Sequence, residues 1–312
     1  MKKVAYLFPG QGAQYVGMGR DLYERCPESK EVFEEAEKML PELDIKRLCF
    51  EGPIEGLTET VNNQVCILVA SIAALKALDS RLKAEGVELD IVACAGLSLG
   101  ELTALVAAKS ISFPDAVRLV RRRGELMKGA SKKNPGGMAS IIGLSLNDLK
   151  SVCRESGAEI ANLNCPGQIV IAGKKESVDR AMALSVEKGA KKAIPLNVSG
   201  PFHSSLMKEA SEEFRKELEK VNFSNPEIGI VTNVTADYEK TPDEIKENLV
   251  KQFSSSVLWE ASIRKIVSQG VDVFFEIGPG KVLKGLLRRI DKNLKVYNIE
   301  KTGDLQLVTN NQ

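Results

Sequence analysis

Four short apolar runs, residues 4–8, 91–95, 228–232 and 271–277, narrow the fold class of this chain more than any other feature. A strand with one wet face alternates apolar and polar side chains, so a run that is apolar throughout must be covered on both sides. Each run is bounded by Gly, Pro or Asn, and long segments of helical period lie between them. That order selects an α/β fold with a mostly parallel sheet and helices on both faces.

The stretch 132–198 departs from this pattern. Residues 138–144, 159–163, 168–173 and 192–198 read as strands, and 146–155 and 177–188 as helices. The order β-α-β-β-α-β, with Asn164-Cys165-Pro166-Gly167 as the hairpin turn, predicts a ferredoxin-like subdomain. It is inserted into a large domain made of 1–131 and 199–312. The breaker-rich run from Ser131 to Gly137 marks one boundary, and Ser199-Gly200-Pro201 the other. Two lobes imply a cleft at their junction.

Composition excludes several functions. With Lys+Arg 43 against Asp+Glu 42, the net charge of +1 offers no field that would gather nucleic acid or a membrane surface. Cys26, Cys49, Cys66, Cys94, Cys153 and Cys165 form no C-x-x-C pair, and a single histidine leaves little for a metal site, so reduced thiols and no metal are expected. The apolar run after Met1-Lys2-Lys3 is too short for a signal peptide, and Lys76 interrupts the longest apolar stretch, 65–78. A cytoplasmic monomer is expected.

The chemistry concentrates around Gly96-Leu97-Ser98-Leu99-Gly100, which follows a predicted strand and precedes a helical segment, 101–108. Glycines on either side of Ser98 permit the sharp turn of a nucleophile elbow, and the helix start aims N–H groups, beginning with Leu99, at developing negative charge. This elbow makes the large domain α/β-hydrolase-like. A serine hydroxyl needs a base, and the chain has one histidine, His203, in Ser199-Gly200-Pro201-Phe202-His203. An amphipathic segment with Leu206, Met207, Ala210, Phe214 and Leu218 on one face follows, so His203 is expected to open a helix. No acidic third partner stands out. A carbonyl or amide is the alternative, with Gln252 the candidate, although Gln252 also reads as ordinary helix surface.

The first strand runs into Phe8-Pro9-Gly10-Gln11-Gly12-Ala13-Gln14. Its glycine spacing fits neither G-x-G-x-x-G nor a Gly-Lys-Ser/Thr phosphate loop, and the backbone of Gln11 is the expected second oxyanion donor. In the helical segment 115–130, Arg118, Arg121, Arg122, Glu125 and Lys128 share one arc, while Arg123 falls among Ala116, Leu119, Val120, Leu126 and Met127. An inward guanidinium needs an anion, which is either a structural carboxylate or a substrate. A serine esterase or thioesterase would share the elbow without requiring that arginine. A silent scaffold binding an acidic partner through Lys174-Lys175 and Lys191-Lys192 is a third reading.

Seven motifs in order, spread over the whole chain, resemble the malonyl-CoA:acyl-carrier-protein transacylases. They are the 8–14 loop, Gly96 to Glu101, Arg123-Gly124 with Met127, Gly137-Met138-Ala139, Asn162 to Gln168, Gly200 to His203, and Glu276-Ile277-Gly278-Pro279-Gly280. The resemblance implies transfer of a malonyl group from malonyl-CoA through an acyl-serine to the phosphopantetheine thiol of acyl carrier protein, without a bound cofactor. It assigns Ser98 as nucleophile, His203 as base, the Gln11 and Leu99 amides as oxyanion hole, and Arg123 as clamp for the malonyl carboxylate. Met127 and Phe202 would line the substrate site, and the main-chain carbonyl of Gln252 would orient His203. Leu97 departs from the histidine that the family often carries before the nucleophile.

Overall fold

The computed structural model describes residues 3–306. Ten strands form two sheets. They are β1 (Lys3–Phe8), β2 (Asp90–Gly96), β3 (Gly136–Ile142), β4 (Glu159–Cys165), β5 (Gln168–Lys174), β6 (Lys192–Pro195), β7 (Gly229–Val231), β8 (Tyr238–Glu239), β9 (Val273–Ile277) and β10 (Lys295–Ile299). The first sheet runs β10-β9-β1-β2-β7-β8 and is parallel except for the β7–β8 edge pair. The second, β4-β5-β3-β6, is antiparallel throughout.

β1 shows why its sequence is apolar from Val4 to Phe8. Val4, Tyr6 and Phe8 enter a core shared with the helices Thr60–Glu85 and Phe113–Lys133, whereas Ala5 and Leu7 enter a second core with Trp259, Ile263, Leu283 and Leu287. Both faces are therefore dry, as a central parallel strand requires. The antiparallel sheet behaves likewise: Ile141 and Ile171 pack on Leu149, Val152 and Val178 of its own helices, while Met138 and Val170 face the main body. Val257 pairs with the edge of β4, exchanging backbone hydrogen bonds with Ala161 and Leu163, and so ties the two sheets together.

Register places the site. Phe8 pairs with Gly96, so the loop after β1 and the turn after β2 leave the sheet side by side, and β7 delivers Thr232 and Asn233 to the same edge. This carboxyl edge is where α/β sheets hold ligands. Several expected boundaries shift. The 228–232 strand shrinks to three residues and the 192–198 strand stops at Pro195, whose ring removes a ladder donor. All six cysteines are free. Among the described residues no helix is long and apolar enough to cross a membrane, and no group of three His, Cys, Asp or Glu side chains is placed to hold a metal ion.

Candidate functional site

Ser98 stands at the turn between β2 and the helix Leu99–Ala107 with φ 54° and ψ −102°, a conformation that L-residues rarely occupy. The flanking glycines allow it by close approach. A Cβ on Gly96 would overlap the Gly100 backbone, and one on Gly100 would overlap the Phe8 carbonyl. The turn is thus pressed against β1, and the Ser98 side chain faces a cavity of about 250 Å³.

His203, which follows the antiparallel sheet in the chain, reaches the same point. Its Nε2 lies 2.8 Å from Ser98 Oγ, and its Nδ1 lies 2.7 Å from the main-chain oxygen of Gln252. A carbonyl only accepts, so Nδ1 carries the proton and Nε2 presents a lone pair to the serine hydroxyl. Burial, followed by the Arg123 charge, pushes the imidazole down to about 4, and the Gln252 carbonyl offsets part of this. The ring is therefore neutral at ordinary pH.

The expectation that His203 opens a helix needs correction. It has φ 59°, which no right-handed helix accommodates, and the helix begins at Lys208 after a 3-10 turn, Ser205–Met207. Ser204 Oγ donates to the Pro201 carbonyl and closes a turn there instead.

Arg123 is 2% exposed, as its place on the apolar arc predicts. Its Nη1 donates to Gln64 Oε1 at 2.7 Å, and its Nη2 to Gln252 Oε1 at 2.9 Å and Ser98 Oγ at 3.0 Å. The guanidinium also packs over the Phe253 ring. It makes no ion pair with any carboxylate among the described residues. Burial lowers its pKa to about 10, and the charge of Glu101 offsets part of that shift. Ser98 Oγ consequently has a base on one side and a cationic donor on the other.

Gln252 is buried, so the helix-surface reading fails. Besides its carbonyl on His203, its Nε2 donates to the Ser98 carbonyl at 3.1 Å. One residue thereby touches Ser98, Arg123 and His203. Gln11, Leu99, Met127 and Phe202 line the cavity with Ser98, and Met127 Sδ accepts a hydrogen bond from Gln64 Nε2. The opposite wall comes from the antiparallel sheet, including Met138, Ser140 and Asn162.

Three residues here escaped sequence reasoning. Gln64 is a buried amide in the long apolar helix Thr60–Glu85, and Glu101 is a buried carboxylate in the short apolar helix after Ser98. Either could have been found as a polar residue out of place in an apolar pattern. Asn233, behind the Ser98 turn, carried no local signal.

A serine at a strained strand-to-helix turn, joined to an imidazole that is oriented by a carbonyl, defines a nucleophilic serine site on an α/β fold. The chain belongs to the acyl transferase family, whose acyl transferase domain model matches residues 5–305. It is 45% identical to the malonyl CoA-acyl carrier protein transacylase of Bacillus subtilis (strain 168), over 98% of this chain and 96% of that one. Its structure resembles an acyl carrier protein S-malonyltransferase from Vibrio cholerae, with TM-score 0.92 and 40% identity over 98% of this chain and 99% of the other. It also resembles a malonyl-transacylase in complex with its type II PKS acyl-carrier protein, with TM-score 0.94 and 38% identity over the whole of both chains. These likenesses bear out the family read from the seven motifs.

Proposed function

We propose that this chain transfers a malonyl group from malonyl-CoA to the phosphopantetheine thiol of an acyl carrier protein, through a malonyl ester on Ser98. The observation that carries this reading is Arg123. A buried guanidinium that touches the serine hydroxyl yet has no carboxylate partner among the described residues is matched by a substrate that brings its own carboxylate. An esterase for neutral acyl groups has no use for it.

In the first half-reaction Ser98 Oγ attacks the thioester carbonyl while its proton passes to His203 Nε2. The oxyanion is assigned to the backbone N–H groups of Gln11 and Leu99, which line the cavity beside Ser98. Collapse breaks the C–S bond, and the leaving thiolate takes the proton back from the imidazolium. The second half-reaction runs in reverse: His203 Nε2 takes the proton of the carrier thiol, the thiolate attacks the ester, and Ser98 Oγ is reprotonated. The malonyl carboxylate pairs with the Arg123 fork throughout, beside Met127 and Phe202. Similarity to a transacylase complexed with its carrier protein supports the acceptor.

The finer architecture that fits this reading is an α/β-hydrolase-like domain, 1–131 and 199–312, with residues 132–198 as a ferredoxin-like insertion that closes one wall of the cleft. A monomeric, cytoplasmic enzyme agrees with the balanced charge. The test is intact-mass measurement after mixing with malonyl-CoA. A malonyl adduct is expected on the native chain, absent from Ser98→Ala, and discharged by holo acyl carrier protein. A native chain that stays unmodified, or an adduct that only water removes, refutes the assignment.

A further inference from the structure

Behind Ser98, away from the cavity, three segments converge: the carboxyl end of β2, the first turn of the helix Leu99–Ala107, and the residues following β7. Asn233, fully buried, sends its carboxamide across the strained turn. Nδ2 donates to the Gly96 carbonyl at 2.7 Å, and Oδ1 accepts the Ser98 N–H at 2.6 Å. The orientation is forced, because the Gly96 oxygen can only accept and the Ser98 N–H can only donate.

Asn233 is itself pinned. Its N–H donates to Glu101 Oε2 at 2.8 Å, Thr232 Oγ1 donates to Glu101 Oε1 at 3.2 Å, and its carbonyl accepts the Leu258 N–H at 2.8 Å. Glu101 lies one helical turn beyond Ser98, so the network closes a ring: Gly96, Ser98, Glu101, Asn233 and back.

We propose that Asn233 is a positioning residue for the nucleophile, its carboxamide serving as the rung that keeps Ser98 at positive φ with Oγ on the base. This rests on the reading of Ser98 as nucleophile. A non-glycine residue in such a conformation is strained and persists only when its surroundings over-determine it. Released, the turn relaxes toward an ordinary region, which swings Cβ and carries Oγ away from Nε2. The rung also occupies the Ser98 N–H. The oxyanion donors must therefore come from residues other than the nucleophile itself. An amide supplies donor and acceptor in this order at every pH, whereas an ionised carboxylate would set two oxygens against the Gly96 carbonyl.

The test compares the full-length native chain with Asn233→Asp and Asn233→Ala, reading malonylation of Ser98 by quenched-flow mass analysis and its modification by phenylmethylsulfonyl fluoride. The second reagent reports the nucleophile without malonyl recognition. Both rates should fall by about tenfold to a hundredfold, with KM for malonyl-CoA nearly unchanged. In Asn233→Asp the new carboxyl joins the network of Glu101, with Glu239 beyond Thr232 and itself neutral below about pH 9, and with Arg123 and His203 on the Ser98 hydroxyl across the turn. Burial and the charge of Glu101 favour its neutral form, which restores an O–H donor to Gly96. The variant-to-native rate ratio should accordingly rise by about tenfold from about pH 9 to about pH 6. In the native protein the Ser98 amide should resist hydrogen exchange, which decides the matter if neither variant folds. Variants labelled as fast as native, or a Ser98 amide that exchanges like an exposed one, overturn the proposal. A native chain labelled by the sulfonyl fluoride but not by malonyl-CoA would instead refute the malonyl assignment.

Discussion

Replacing Arg123 by methionine should separate function from stability to an unusual degree. Methionine retains much of the length and apolar bulk but not the charge. Burial holds the guanidinium pKa down to about 10, equivalent to about 3 kcal/mol lost by keeping the charged form inside. Against this gain stand Gln64 Oε1 and Gln252 Oε1, each left without its donor at about 1–3 kcal/mol. The two nearly cancel, so Tm should move by no more than about 3 °C. Removing one member of a buried ion pair would instead destabilise by about 3–5 kcal/mol. Catalysis has no such compensation. The malonyl carboxylate would sit unpaired in a largely dry cavity, costing about 3 kcal/mol in the transition state, or about a hundredfold in kcat/KM. Acetyl transfer loses only the Arg123 contact on Ser98 Oγ, so the malonyl-to-acetyl preference should collapse. The assays are thermal unfolding and parallel kinetics with malonyl-CoA and acetyl-CoA. A preference equal to that of the native enzyme, or a fall in Tm beyond about 8 °C, would show that Arg123 is a structural charge and refute the reasoning.

Two further outcomes follow from the buried titratable groups. Because His203 titrates at about 4, the acid limb of kcat/KM should lie near that value and move up in Arg123→Met, which removes one cause of the depression; a limb near the ordinary imidazole value in the native enzyme contradicts the geometry. Glu239 is raised to about 9 by burial and by the charge of Glu101, and the donors Asn248 and Thr232 offset only part of this. Its folded pKa exceeds its unfolded one, so its contribution to stability is complete below the unfolded carboxylate value and is lost as pH rises toward about 9. Glu239→Gln abolishes that loss: above about pH 8 the variant should be the more stable by on the order of 5 kcal/mol, with little difference at about pH 5. Parallel stability–pH curves for the two proteins would sink this assignment.

What the sequence disclosed and what it hid divide along the range of the interactions. β1 declared itself because from Val4 to Phe8 each side chain is buried locally, on one face or the other, which leaves a run with no charged position. Arg123 was legible for a related reason: helical geometry alone places it among apolar residues. His203 misled because the stripe from Leu206 to Leu218 is a true helix whose start cannot be read from apolar spacing, and the Ser204 hydroxyl closes a different turn just before it. Of Gln252 only the carbonyl on His203 was anticipated, not its burial or its side-chain contacts, and Asn233 was hidden altogether. Their roles depend on β7 lying beside β2 and on the helix Pro242–Gln252 ending against the Ser98 turn, both set by strand order rather than by neighbouring residues.

The same three-dimensional arrangement bears on how a site with no acidic third partner handles its base. Gln252 orients the imidazole through a neutral carbonyl, which holds the tautomer without stabilising a cation as a carboxylate would. Arg123 works further against protonation. On the proposed reading, a malonyl carboxylate docked on Arg123 neutralises that opposing charge and makes His203 a stronger base at the moment Ser98 must surrender its proton. An acetyl group brings no carboxylate to Arg123 and leaves the base weak. Substrate charge would then act on the chemical step as well as on binding, so discrimination should appear in kcat and not only in KM.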